Sequence, residues 1–106
     1  METVIETRAF DRAARDAGMT DAERTSAILT IAADPEAGDL IVGTGGCRKV
    51  RIAGRGHGKS GGYRVITFYT CPEGVYLLTV FGKGEKASLT GAEKNALARL
   101  TTALKR

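Results

Sequence analysis

The chain has 106 residues, of which 42% are hydrophobic and 26% charged, ordinary values for one compact globular domain and too apolar for a disordered one. No apolar run approaches the roughly 18–20 residues that span a bilayer, and the opening METVIETRAFDRAARD lacks a signal-peptide core, so a cytoplasmic location with no membrane partner is expected. The formal net charge of +4 is unevenly placed: residues 1–39 hold four bases and nine acids, whereas residues 40–72 hold six bases and no acid.

Val4 and Ile5 sit among polar residues as a short edge-strand candidate. Thr7 then offers an N-cap, and Phe10, Ala13, Ala14 and Ala17 form one apolar helical stripe that Gly18 ends. Thr20 and Glu23 have capping-box spacing for a second helix, which uses Ile28, Leu29, Ile31 and Ala32 and stops before Pro35. The short turn between the helices predicts a helical hairpin. After Gly38-Asp39 the apolar period changes from 3.6 to 2. CRKVRIA (47–53), YRVITFYT (63–70) and VYLLTVFG (75–82) read as strands, with Cys71-Pro72-Glu73-Gly74 as a tight turn between the last two. Thr90 and Glu93 open a final helix carrying Leu89, Ala96, Leu97, Leu100 and Leu104 on one side. Helices, then a meander, then a helix predict a single α+β domain over residues 1–106: a helical hairpin on a twisted antiparallel sheet with a C-terminal helix.

The two cysteines, Cys47 and Cys71, have no CxxC spacing and are expected as free, partly buried thiols. The run AGRGHGKS, Ala53 to Ser60, has the spacing of a phosphate-binding loop, but such a loop must enter a helix, and here Gly61-Gly62 leads into a strand. The better reading is a basic hairpin loop. His57, the sole histidine, lies in that loop without carboxylate or cysteine neighbours, which gives a metal no ligand set and a nucleophile no fixed base; no cofactor is expected.

The acid-free segment is the strongest functional signal. Arg48, Lys49, Arg51, Arg55, Lys59 and Arg64 build a positive field suited to a polyanion, nucleic acid above all. Period-2 alternation puts Val50 and Ile52 on one face and Lys49 and Arg51 on the other. Arg64 opens the next strand, while Lys83 and Lys86 follow the last one.

Three motifs in order, GTGG-x-RK-x-R, GKSGGYR and LL-x-V-x-GK-x-EK, make residues 38–97 resemble the HigB-like branch of the RelE toxin superfamily. The resemblance implies the α+β fold just described and a type II toxin that cleaves messenger RNA in the ribosomal decoding site. It also implies a neighbouring helix-turn-helix antitoxin of the HigA type as partner. Lys49 and Arg51 match the family's two basic strand positions, Arg64 the arginine of G-Y-R that would clamp the scissile phosphate, and Lys83 and Lys86 the basic residues of the last motif. Together these are the implied catalytic residues, with Lys49 a candidate base. Arg48, Arg55 and Lys59 are candidate RNA contacts. Two positions depart from the family: Gly84 stands where the best-studied relatives carry an arginine, and Thr90 near where they carry a tyrosine. Tyr63, Tyr69 or Tyr76 is then left to supply a stacking platform. A toxin that binds RNA or ribosomes without cutting, and the gyrase-poisoning branch of the same superfamily, are the alternatives.

Overall fold

A computed structural model describes residues 1–54, 62–82, 84 and 88–105. The described elements run β1 (Val4–Glu6), α1 (Arg8–Asp16), α2 (Asp21–Ala33), β2 (Asp39–Leu40), β3 (Arg48–Ala53), β4 (Gly62–Thr70), β5 (Gly74–Gly82) and α3 (Gly91–Leu104).

The helices start where their caps dictate. The Thr7 hydroxyl accepts from the Phe10 amide, and Thr20–Glu23 and Thr90–Glu93 each form a reciprocal capping box. The strands assemble into one five-stranded sheet in the order β1-β5-β4-β3-β2. The β3–β4–β5 meander is antiparallel as predicted, and β2 adds a two-residue antiparallel edge. β1 departs from the antiparallel scheme by pairing parallel to β5, Val4 opposite Val75. A parallel neighbour needs a long crossover, and here the whole chain between the two strands supplies it.

Each sheet face has its own core. On one face, Val50, Ile52, Val65, Val75, Leu77 and Val80 pack against Phe10 and Ala14 of α1 and Ala27 and Ile31 of α2. On the other, Cys47, Ile66, Phe68, Leu78 and Phe81 pack against Leu97 of α3, flanked by Leu89 and Leu104. Both long helices bury part of the stripe their apolar residues suggest, Ile31 and Ala32 in α2 and Leu97 in α3, and add polar residues to it. In α2 the buried line is Glu23, Ala27 and Ile31, one turn apart, which turns Leu29 outward at 52% exposure. In α3, Leu97 and Thr101 are buried, whereas Ala96 and Leu100 are exposed. Cys47 is buried, but Cys71, in the β4–β5 turn, is exposed.

Candidate functional site

The helix pair packs on one sheet face and α3 on the other. On the α3 face, β3 and β4 also carry cations. Register fixes their arrangement: Arg51 stands directly opposite Arg64, and Lys49 opposite Ile66. Directly opposed residues project from the same face with Cβ atoms about 4.5–5.5 Å apart. Lys49, two positions before Arg51, shares that face. Arg51 is exposed, while Lys49 and Arg64 are half-buried, their stems resting on the sheet. On its other side Arg64 is flanked by Phe81, which is buried.

Three cations converging on one face repel each other unless an anion lies between them. No carboxylate among the described residues forms an ion pair with Arg51, Arg64 or Lys49, although Asp39 stands opposite Lys49 in register. Among the described residues the ion pairs join Arg15 to Asp11 and Arg24 to Glu6 and Asp11, all on the helical side. There Arg24 also lies over the Phe10 ring, 5.5 Å from its centroid. The Arg24 hydrogen bond holds the Asp11 carboxyl below its ordinary range, with Arg15 adding to the effect. Among the described residues, ion pairs therefore form on the helical face and not on the cationic one.

The other sequence candidates divide. Arg48 does not join Lys49 and Arg51: alternation turns it to the opposite face, where its guanidinium donates to the Gly38 carbonyl at 3.0 Å. Arg55, Lys59, Lys83 and Lys86 lie outside the described residues, as does His57.

None of the three tyrosines stands beside the cations. Tyr63 points to the helix-pair face, buried, and donates to Glu23 Oε1 at 2.9 Å. Burial, and then the Glu23 carboxylate, push its hydroxyl above the ordinary phenol range. Tyr69 donates to Glu2 at 3.2 Å. Tyr76 pairs with Phe68, four residues along β4 from Arg64 and therefore roughly 13 Å away. The residue that alternation alone did not single out is Phe81, the one aromatic in register with Arg64. Thr90 is engaged as the α3 N-cap, its hydroxyl accepting from the Glu93 amide at 3.1 Å. Gly84 faces open space.

The GTGG motif has a structural task. Thr44 is buried, and its hydroxyl donates to the Ile41 carbonyl at 2.7 Å and accepts from the Cys47 amide at 3.1 Å. The Thr44 carbonyl in turn accepts from the Thr101 hydroxyl of α3 at 2.9 Å. Gly45 adopts φ +78°, and a side chain there would collide with the Thr101 hydroxyl. The turn therefore launches β3 with Lys49 and Arg51 aimed outward and seats α3 beside them.

A family model described as "RelE toxin of RelE / RelB toxin-antitoxin system" matches residues 2–106, essentially the whole chain. The chain belongs to the RelE toxin family. It is therefore the toxin of a toxin–antitoxin pair, and an antitoxin is its partner. In this RelE-family toxin the described residues contain no helix long and apolar enough to cross a membrane and no cluster of three or more His, Cys, Asp or Glu side chains able to hold a metal. The chemistry on offer on the α3 face of the sheet is cationic: two guanidinium groups and an ammonium group that form no ion pair among the described residues.

Proposed function

We propose that this RelE-family toxin is a ribosome-dependent messenger-RNA endoribonuclease, working in the cytoplasm as one domain over residues 1–106 and restrained by a helix-turn-helix antitoxin of the HigA type. The observation that carries the reading is the placement of Arg51 opposite Arg64, with Lys49 beside them and, among the described residues, no carboxylate in an ion pair with any of the three. Such a face is destabilising by itself and favourable against a phosphate backbone.

RNA brings its own nucleophile, so no metal is needed to generate one. The ribose 2′-oxygen attacks the adjacent phosphorus and loses its proton, with Lys49 as the proposed base. The bond to the 5′-oxygen breaks, and that oxygen takes a proton as it leaves. Holding an intramolecular nucleophile in line lowers such a barrier by roughly 7–11 kcal/mol. A positioned acid or base adds about 10²–10⁴-fold. Arg64 is the proposed clamp on the scissile phosphate, because it is half-buried on a central strand between β3 and β5; fixed donors of this kind stabilise the charge that develops on the equatorial oxygens. Arg51 supports it. Lys83 and Lys86 complete the proposed catalytic set, and Arg55 and Lys59 the proposed backbone contacts; Arg48, turned to the helix-pair face, is not among them.

The test is to map transcript ends after induction of the wild-type toxin and of Arg64→Ala. New internal 5′ ends within translated messages are expected for the wild type. For Arg64→Ala the expectation is loss of those ends and of growth inhibition, with antitoxin binding retained. Arrested translation with intact transcripts would overturn the nuclease reading in favour of binding alone. DNA breaks with filamentation would point to gyrase.

A further inference from the structure

Lys49 belongs to two surfaces. Besides the cationic face it lines a cleft of about 280 Å³ at the β2 edge of the sheet, whose walls include Asp39, Val42, Ser88, Leu89 and Lys94. Apolar walls, two ammonium groups, a hydroxyl and a carboxylate meet in that small space. Asp39 stands opposite Lys49 in register, so both side chains share the face, yet they form no ion pair. The carboxylate therefore remains available to a ligand. Val42 is 87% exposed, an apolar lip facing water. The volume lies just under the roughly 300–1,000 Å³ of small-molecule sites. It suits a single ring system better than a protein helix about 10 Å across.

We propose that this cleft is a nucleotide subsite, adjoining the phosphate held by Arg64, that favours bases carrying an exocyclic amine over uracil. The inference rests on the RNA-cleavage reading and adds a specificity to it. The base lies between Val42 and Leu89, its amine donates to the Asp39 carboxylate, and Lys94 takes a flanking phosphate. A carboxylate accepting from a base amine is a recognised readout. Uracil places a carbonyl oxygen where the amine would stand, so the carboxylate meets an acceptor there and loses that hydrogen bond. Lys49 and Arg51 are two residues apart on β3, ~7 Å along the strand, close enough to serve adjoining nucleotides.

The experiment maps cut sites made by the purified toxin on ribosomes programmed with messages of varied sequence, for the wild type, Asp39→Asn and Lys94→Gln. Expected for the wild type is a depletion of uracil of about tenfold at one fixed position beside the cut. Asp39→Asn, whose amide can present a donor as well as an acceptor, is expected to erase that depletion. Lys94→Gln is expected to reduce the salt dependence of RNA binding by about one phosphate contact. Absence of cutting by the wild type would overturn the nuclease reading and this inference with it. Cutting without a uracil bias, or with a bias that survives Asp39→Asn, would overturn the subsite alone. So would uniform loss of cutting in Asp39→Asn, which would place Asp39 in the chemistry, or release of the antitoxin with cutting unchanged, which would assign the cleft to that partner.

Discussion

Arg51 and Arg64 confront each other across an antiparallel pair, and like charges so placed cost the fold about 0.2–1 kcal/mol. Arg51→Gln keeps a long polar side chain and removes one charge. It is expected to raise stability by up to about 1 kcal/mol while weakening growth inhibition. Paired urea titrations and plate toxicity assays check this, and a variant that is both less stable and fully toxic would contradict it. On the other face the sign reverses. Tyr63→Phe strips a donor from the buried Glu23 carboxylate and is expected to cost about 1.5 kcal/mol or more, readable as a lower urea midpoint at unchanged slope. Alternation was enough to read from the sequence that Lys49 and Arg51 share a face. It could not show that Arg64 meets Arg51 with Phe81 behind it, because period 2 leaves register undetermined. Asp39 was illegible for a related reason: a two-residue strand has no period to read.

Among the elements, α3 depends most on a single junction. Its Leu97 and Thr101 are buried against the sheet, and Thr101 is tied to the Thr44 carbonyl of the turn before β3. Gly45→Ala would force a side chain into a positive-φ conformation and against the Thr101 hydroxyl. The expected cost is about 1–3 kcal/mol, with loss of hydrogen-exchange protection concentrated in α3 and the start of β3. Uniform loss across α1 and α2 would argue against a local junction. The elements themselves were largely legible, because capping residues and a change of apolar period mark boundaries through local chemistry: Thr7, Thr20 and Thr90 cap the helices where the sequence places them. Which helical stripe is buried was less legible. A buried Glu23 in α2 and a buried Thr101 in α3 read as surface residues until their long-range partners, Tyr63 and Thr44, are known. The parallel pairing of β1 was hidden for the same reason, since its partner lies some 70 residues away.

Across the molecule as a whole, the ion pairs among the described residues lie on the helical side and not on the cationic one, and stability should answer to pH at both ends for different reasons. At the acid end, Asp11 is held below the ordinary carboxylate range, chiefly by its hydrogen bond from Arg24. A depressed folded-state value gives stability that is complete above the unfolded value, near 3.9 for an aspartate, and is lost as pH falls through the folded one. Asp11 lies at the surface, so that loss should be small and should shrink with added salt. At the alkaline end, burial raises the Cys47 thiol and the Tyr63 phenol, and contacts with Cys71 and Glu2 raise Tyr69. Raised folded-state values give stability that is complete below the unfolded ones, roughly 8.5 for a thiol and 10 for a phenol, and is lost as pH climbs beyond them. Urea midpoints measured from pH 4 to 11 should therefore hold level through neutrality and fall above about pH 9. In Tyr63→Phe the neutral-pH midpoint should be lower and the alkaline decline shallower, because one of the groups that gains by ionising in the unfolded chain is gone. An alkaline limb identical to that of the wild type would show that the Tyr63–Glu23 contact does not couple proton binding to folding.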